Sequence, residues 1–380
     1  MRPRKIAKIA LSLLRHPIYT AQALRVSDAE TDIATAMRRA ADWLLIAQES
    51  ATDGGGYPRR YSLIGGWDRC YIETTGYIIP TLLDVGNYLG EEKYHASALR
   101  AAEWLLSVQQ GDGSFTDIDV YAPQVFDTGQ VLLGLNRMIR EGGNPGYADA
   151  ARRAAQWLVN VQDEDGAWRR FAYQGRPHAY YSRVGAALIE TGLLLGDDDF
   201  VRMGRCNLEW VLAQEQPNGY YAYSEFKPGE DAILHTIVYV LEGFSMAYAL
   251  TNEDKWRDAL LRGVRALWSL RDDAGMLRSQ YDPAFNVTNN EYCTTGLAQY
   301  AGVCFDAFEL SGEGAFQQSA ELVTAQLCKW QQRGGRDIEG GLSGSIPVWG
   351  YYGGMEYLNW NAKFFIDAAL KQLDRLDRTQ

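Results

Sequence analysis

The chain has 380 residues, of which 47% are hydrophobic, and it carries a formal net charge of −11 at pH 7. This much apolar sequence is enough to bury a large core. The acidic balance disfavours sequence-independent binding to nucleic acid phosphates, so we expect no nucleic acid partner.

Cysteine usage and hydropathy narrow the class of protein further. The five cysteines lie far apart without a CxxC pair, which predicts neither a disulfide framework nor a zinc site and is typical of a reducing compartment. No run of about 18 apolar residues occurs, so no transmembrane helix is predicted. We expect a cytoplasmic protein that binds no metal and needs no cofactor.

The first predicted element is a basic amphipathic helix within residues 1–17. The sequence MRPRKIAKIALSLLRHP places five basic residues around an apolar face of Ile6, Ile9, Leu13 and Leu14. Lys8 interrupts the apolar run and no small-residue cleavage site follows, which distinguishes the segment from a signal peptide. Two interpretations stay open, a helix that contacts a membrane surface or an arm packed on the domain. We assign residues 1–28 to this arm and residues 29–380 to one domain.

Six copies of one pattern then span nearly the whole chain. The segments ADWLLIAQ, AEWLLSVQ and AQWLVNVQ place a tryptophan five residues before a glutamine, at Trp43, Trp104 and Trp157. LEWVLAQE continues the series at Trp210, and two further copies keep the helical pattern with the tryptophan displaced. Such self-similarity indicates a repeat architecture.

Each copy is followed by a loop rich in Gly and Asp and then by a second helical segment. These second segments begin near Tyr71, Asp127, Arg183, His235, Thr294 and Asn361. Six pairs of antiparallel helices hide both ends of the array when the inner helices close into a ring. The sequence therefore predicts an all-α (α/α)6 toroid, with the candidate site on the rim that carries the long loops, where the inner helices begin.

The rim loops combine aromatic rings with acids, amides and arginines. This mixture suits a sugar, whose C–H faces stack on rings while its hydroxyls need hydrogen-bonding partners. The candidates for substrate binding are Trp67, Arg69, Tyr71, Glu73, Asp127, Tyr181, Arg183, His235, Arg278, Asn289, Glu356 and Trp360. The three arginines could hold a uronate carboxylate or pair with the rim acids.

Five acids lie at or near inner-helix starts, namely Glu73, Asp127, Glu225, Glu291 and Glu356. Helix capping is the simpler interpretation for most of them, and one or two facing the cavity could serve as general acid or base. The two rim histidines, His178 and His235, lie in different repeats without carboxylates at metal spacing, so no metal site is predicted.

The Trp–Gln pattern followed by DG-aromatic loops resembles the repeats of the squalene cyclase and prenyltransferase superfamily, which implies the toroid fold. The chain also resembles toroid proteins associated with bacterial polysaccharide assembly. The acidic run GDDDF at 196–200 falls in a short turn of the opposite rim, where we expect it to cap the fourth outer helix.

A second resemblance covers residues 219–300. The segments GYYAYSEF, GMLRSQYDP and EYCTTGLAQ, in this order, are similar to the catalytic domain of D-glucuronyl C5-epimerases. The resemblance implies Tyr281 and Tyr292 as catalytic tyrosines, with Glu225 and Tyr223 beside them. An enzyme of that kind removes the proton α to a uronate carboxylate and returns it on the opposite face of the ring.

Three functional hypotheses follow. The first is a polysaccharide-modifying enzyme that abstracts the C5 proton of a uronate, as a C5-epimerase or, by the same first step, a lyase. The second is a glycoside hydrolase that uses Glu73 and Asp127. The third is a non-enzymatic glycan-binding or assembly factor. All three predict a poly- or oligosaccharide partner, and the sequence leaves the oligomeric state open.

Overall fold

The computed structural model describes residues 3–24 and 31–379. Within these ranges the helices are α1 (Pro3–Arg15), α2 (Pro17–Ala23), α3 (Ile33–Glu49), α4 (Ile72–Leu89), α5 (Glu92–Val108), α6 (Val125–Glu141), α7 (Gly146–Val161), α8 (Ser182–Leu195), α9 (Asp198–Leu212), α10 (Leu234–Thr251), α11 (Asp254–Ser269), α12 (Thr294–Ser311), α13 (Gly314–Trp330) and α14 (Asn359–Thr379). Among these helices, none combines the length and the apolar character that crossing a bilayer requires.

Helices α3 to α14 form two concentric rings. The inner ring consists of α4, α6, α8, α10, α12 and α14, which contact one another in that order, and α14 contacts α4 to close it. The odd-numbered helices from α3 to α13 form the outer ring. The predicted (α/α)6 toroid is confirmed, and every inner helix begins within two residues of its predicted start.

Small residues let the inner helices approach closely. A side chain on Gly76 of α4 would come within 2.5 Å of the α6 backbone at Val131. A side chain on Gly134 of α6 would come equally close, 2.5 Å, to the carbonyl oxygen of Gly76. The two glycines therefore lie where α4 and α6 pack backbone to backbone, as expected for a crowded central ring.

The repeated glutamine has a structural role that explains the sequence pattern. In four repeats its side-chain amide donates both to a carbonyl of its own long loop and to a carbonyl of the next outer helix, at Gln48, Gln109, Gln162 and Gln331. Gln331 of the last repeat reaches Gly340 O at 3.0 Å and Ala36 O of α3 at 2.8 Å. The same bond that joins successive repeats therefore also joins the last repeat to the first.

The sixth helical hairpin of the ring differs from the other five. In five hairpins a short turn links an inner helix to the outer helix that follows it, as between α4 and α5. The sixth consists of α14 packed along α3, two helices from opposite ends of the domain. We call the junction between α3 and the last repeat the seam. Trp43 of α3 stabilises the seam, because its indole Nε1 donates to Asp337 O in the last long loop, at 2.9 Å.

We expect Gln331→Ala to destabilise the protein by about 1–3 kcal/mol, because two buried carbonyls at the seam would lose their donor. Urea unfolding followed by circular dichroism measures the change. Gln214→Ala is the matched control, because the Gln214 amide donates within its own repeat, to Trp210 O at 2.9 Å. Equal effects of the two substitutions would contradict a special role for the seam bond.

The long loops carry short strands that tie the rim together. The strands are β1 (Arg60–Ser62), β2 (Gly66–Trp67), β3 (Ala232–Ile233), β4 (Gln280–Tyr281), β5 (Val287–Asn289), β6 (Tyr292–Cys293), β7 (Ser345–Ile346) and β8 (Glu356–Leu358). They form antiparallel sheets in the orders β2-β1-β8, β3-β4-β5 and β6-β7. Pairing of β1 with β8 joins the first long loop to the last.

Helices α1 and α2 lie on this same rim. Lys5 forms an ion pair with Glu291, Arg15 donates to Ile64 O at 3.1 Å, and the Tyr19 hydroxyl lies 3.3 Å from Asp337 Oδ2. On the opposite rim, Asp197 accepts from the Phe200 amide at 3.3 Å, so the acidic run caps α9, the fourth outer helix, as expected.

Candidate active site

A cavity of about 460 Å³ opens where the inner helices begin. Its walls are mainly aromatic, formed by Tyr71, Tyr77, Phe126, Tyr173, Tyr180, Tyr181, Phe226, Tyr239, Tyr351, Tyr352 and Trp360. Acidic side chains of α4 and α6 reach its interior from their first helical turns. The cavity thus combines flat apolar faces with carboxyl groups.

Five carboxyl groups line the cavity, and three of them interact electrostatically. Glu73 comes from α4, Asp127 from α6 and Asp117 from the loop before α6. The Tyr71 hydroxyl lies 2.8 Å from Glu73 Oε2 and 3.3 Å from Asp117 Oδ2, and it donates its single proton to one of them at a time. Asp127 Oδ2 is buried and has no hydrogen-bond partner among the described residues. An oxygen of this kind is available to a ligand.

The surroundings raise the pKa of two of these acids. Burial, reinforced by the charge of Asp117, raises the pKa of Glu73 to about 7, although the Tyr71 hydroxyl opposes the change. Burial, with the charges of Glu73 and Asp117, holds the pKa of Asp127 well above its ordinary range. Neighbouring acids of this kind share a proton near neutral pH, which is the arrangement needed for a general acid beside a base.

Five acids were considered as helix caps, and four of them have a different role. The Glu73 carboxylate meets the Tyr71 hydroxyl, at 2.8 Å. The other three pair with cations across the rim, in the pairs Glu225 with Arg176, Glu291 with Lys5, and Glu356 with Arg60. The capping interpretation was wrong for these acids because their carboxylates contact a hydroxyl or a cation in place of a free backbone amide at a helix end.

Six of the twelve predicted binding residues line the cavity, namely Tyr71, Glu73, Asp127, Tyr181, His235 and Trp360. The structure does not place the other six there, and each contacts other parts of the protein, namely Trp67, Arg69, Arg183, Arg278, Asn289 and Glu356. Trp67, for example, donates from Nε1 to Asp337 Oδ1 at 3.1 Å.

The three arginines considered for uronate binding are all engaged. Arg183 is buried below the cavity, where it pairs with Glu242 and lies 4.9 Å from the centre of the Tyr239 ring. Arg278 pairs with Asp272 at 2.7 Å. Both arginines are therefore paired, but with acids other than the five rim acids considered as their partners. Arg69 donates to a backbone carbonyl, Ile118 O, at 3.0 Å.

His235 lies in the cavity as a neutral ring. Its Nδ1 donates to Gln299 Oε1 at 2.6 Å, and burial lowers the pKa of His235 to about 3. Within the described ranges, no group of three or more His, Cys, Asp or Glu side chains is arranged to hold a metal ion.

The four residues assigned to catalysis by the epimerase resemblance do not line the cavity. Tyr281 is fully buried and its hydroxyl accepts from the Arg278 amide at 2.8 Å, while the Tyr292 hydroxyl donates to Asp272 Oδ2 at 2.9 Å. Glu225 pairs with Arg176, and Tyr223 packs on Trp210. Tyr281 lies on β4 of the β3-β4-β5 sheet and Tyr292 on β6, while Tyr223 and Glu225 lie in the loop before β3.

Sequence reasoning missed other cavity residues. Asp117 follows the DG-aromatic pattern of the second repeat, and Tyr239 lies one helical turn after His235. The i, i+4 spacing on α10 could have identified Tyr239. Arg59 and Lys227, the two cations of the cavity lining, come from loops whose course the sequence does not specify.

We expect Glu73→Gln to make stability less dependent on pH. The folded protein binds the Glu73 proton more tightly than the unfolded chain, so this stabilisation is present below pH 4.5 and is lost as pH rises through about 7. Removing the charge should recover about 2 kcal/mol near pH 8, less than the full pKa shift because the side chain keeps some contact with the open cavity.

Thermal melts of wild type and Glu73→Gln at about pH 5 and about pH 8 measure this effect. Glu49→Gln, at an exposed site on α3, is the control. A variant that lost stability to the same extent as wild type between the two pH values would contradict the raised pKa of Glu73.

Fold and site define a toroid protein with a carboxyl-lined aromatic cavity, and comparisons with known proteins agree with the fold. No protein-family model matches the chain. A squalene–hopene cyclase of Bradyrhizobium diazoefficiens is 36% identical over 64 residues, which is 17% of this chain and 10% of that protein. A labda-7,13-dienyl diphosphate synthase of Streptomyces clavuligerus is 28% identical over 120 residues, 31% of this chain and 21% of that protein. The chain therefore aligns with at most about a fifth of these relatives' length, and the predicted squalene-cyclase-type repeats are confirmed.

Solved structures match over nearly the whole chain. An unsaturated glucuronyl hydrolase specific for heparin superposes with a TM-score of 0.73 at 15% identity, covering 91% of this chain and 98% of that one. A cellobiose 2-epimerase from Bacillus thermoamylovorans gives 0.69 at 12% identity, covering 90% and 99%. A D-mannose isomerase gives 0.71 at 9% identity, covering 92% and 98%. At these identities the likeness shows the fold.

Proposed function

We propose that this chain is a carbohydrate-active enzyme, a glycoside hydrolase in which Asp127 and Glu73 act as acid and base. One observation carries the proposal: two neighbouring carboxyls with raised pKa values face an aromatic cavity at the N-terminal ends of the inner helices. This is the second of the three hypotheses drawn from the sequence.

The shape and lining of the cavity support a sugar substrate. Its volume of about 460 Å³ falls within the range of small-molecule sites, roughly 300–1,000 Å³. Aromatic rings offer stacking surfaces for the C–H faces of a sugar, and the carboxylates accept hydrogen bonds from its hydroxyls. The solved structures with the same fold include enzymes named for sugar substrates.

The two acids have different environments, which suits them to different roles. Asp127, whose pKa burial holds well above its ordinary range, keeps its proton and donates it to the glycosidic oxygen as the bond to the anomeric carbon breaks. Glu73 ionises near neutral pH and accepts a proton from the water whose oxygen bonds to that carbon. The Tyr71 hydroxyl, 2.8 Å from Glu73 Oε2, stabilises the carboxylate form.

Uronate chemistry is the second candidate. Of the two cations in the cavity lining, Arg59 already pairs with Asp68 and Asp119, so a substrate carboxylate would meet Lys227. A carboxylate held there would place the C5 proton of a uronate near the same carboxyl pair, so that epimerisation or elimination would begin from Glu73 as base. Tyr281 and Tyr292 do not line the cavity, so neither takes part in this chemistry.

The test is incubation of the purified protein with neutral and uronate-containing oligosaccharides in deuterated water, followed by mass spectrometry and NMR. New reducing ends without deuterium at carbon support the hydrolase. Deuterium at C5 without chain cleavage indicates the epimerase, and 4,5-unsaturated ends indicate a lyase. Binding of these oligosaccharides with no chemical change would overturn the enzymatic proposal in favour of a glycan-binding factor.

A further inference from the structure

Helices α1 and α2 expose many apolar side chains on their outward side. The side that faces the rim is mixed, with the polar Lys5 and Ser12 beside Ile9 and Tyr19, which pack against the core. The side that faces outward is apolar, with Ile6, Leu11, Leu13, Leu14, Ile18 and Leu24 exposed. A helix that served only to cover its own domain would direct its apolar side inward.

This exposure is concentrated in the arm. Of the sixteen large hydrophobic side chains exposed in the described residues, six lie between positions 6 and 24. Leu14 and Ile18 are the most prominent, 81% and 70% exposed. Single exposed apolar residues are ordinary, but a contiguous stripe marks an interaction surface.

The charge of the arm identifies its partner. Residues 1–28 contain six basic side chains and one acidic side chain, in a chain whose net charge is −11. Lys8 and Arg15 are exposed and lie seven residues apart, two helical turns, along one flank of the apolar stripe. An apolar stripe flanked by basic side chains matches a surface of anionic headgroups over acyl chains.

We propose that the outward side of α1 and α2 is a docking surface for an anionic lipid bilayer. Leu13, Leu14 and Ile18 enter the boundary between headgroups and acyl chains. Lys8 meets the lipid phosphates, and so do the N–H groups of Arg15 other than the one that donates to Ile64 O. The arm lies in the plane of the membrane surface rather than across it, because neither helix is long enough to span a bilayer.

The docking surface lies beside the mouth of the cavity. Glu291, which pairs with Lys5, also accepts from the Tyr351 backbone amide at 2.6 Å, and Tyr351 lines the cavity. Contacts of α1 and α2 elsewhere on this rim, at Ile64 and Asp337, fix the arm at the same end of the toroid. Docking therefore holds the cavity mouth close to the bilayer.

The experiment is co-sedimentation of the full chain with vesicles of equal parts phosphatidylglycerol and phosphatidylcholine. We expect wild type to sediment with these vesicles at low salt and to be released by high salt. The triple variant Leu13→Glu, Leu14→Glu, Ile18→Glu should lower the bound fraction by about tenfold or more. Lys8→Glu should weaken binding to these vesicles with no effect on the residual binding to pure phosphatidylcholine.

Leu193→Glu is the matched control, since Leu193 is 52% exposed on α8, away from the arm. It should bind vesicles like wild type. Because the substituted side chains face outward, thermal melts of all variants should agree with wild type. Wild type left in the supernatant with anionic vesicles would overturn the proposal. So would a concentration-dependent dimer that the triple variant abolishes while vesicles stay unbound, because the occupant would then be a second copy.

Discussion

Asp127→Asn is expected to lower hydrolytic turnover by about 10²–10⁴-fold, because the amide cannot donate the proton that the leaving oxygen needs. Asn keeps the size of the side chain, and it places an amide in a carboxyl cluster without adding charge. The measurement is kcat on the oligosaccharide identified by the deuterium experiment. Glu73→Gln is expected to reduce kcat by a similar factor, since it removes the base.

Glu225→Gln is the informative control for this pair. Glu225 belongs to the loop layer that the epimerase resemblance would make catalytic, and it pairs with Arg176 at 2.7 Å outside the cavity. If catalysis resides in the cavity, this variant keeps most of its activity. Full activity in Asp127→Asn together with a large loss in Glu225→Gln would move the chemistry to residues 219–300, where the epimerase resemblance placed it.

Glu242→Leu is expected to destabilise the protein by about 3 kcal/mol, because it leaves the buried Arg183 guanidinium without its counter-charge. Arg183 is 4% exposed, and Gln130, which accepts from its Nε at 3.0 Å, supplies no charge. Urea unfolding measures the loss. The double variant Arg183→Leu, Glu242→Leu should recover much of it, since two apolar side chains replace a desolvated pair.

An exposed ion pair provides the control for the buried pair of Arg183 and Glu242. Arg202 and Asp199 are 61% and 74% exposed, and Asp199→Asn should change stability by less than about 1 kcal/mol. A second cavity of about 760 Å³ at the opposite rim also reaches Arg183. A small effect of Glu242→Leu would therefore show that water from this side solvates the guanidinium.

The fold was predictable because the same short sequence pattern recurs in successive repeats. Trp43 and Gln48 have counterparts in the next two repeats at the same separation, and the structure explains the glutamine by its bonds to two backbone carbonyls. Apolar periodicity then located the inner helices to within two residues. Because the pattern is repeated, each helix could be predicted from its own segment, without knowledge of the long-range contacts that close the ring.

The site was only half predictable, for a physical reason. Glu73 and Asp127 were identified because the first turn of an inner helix must face the rim. The direction of a loop side chain depends on which strands pair, and pairing of β4 with β3 and β5 buries Tyr281 behind the wall. Nothing local in the sequence specifies that pairing. The same limitation applies to Asp117, which reaches the carboxyl cluster from a long loop.

The pairing of α14 with α3 has a consequence for how the ring assembles. Five hairpins form between helices that are close in the chain, so each can fold on its own short turn. The sixth brings together segments from opposite ends of the domain, and closing so long a loop costs entropy that local pairs do not pay. We therefore expect the repeats to stack first into an open crescent, in which Ala36 and Gln331 are still apart. The cavity is complete only after the crescent closes, because Glu73 of α4 and Trp360 of α14 lie on either side of the junction.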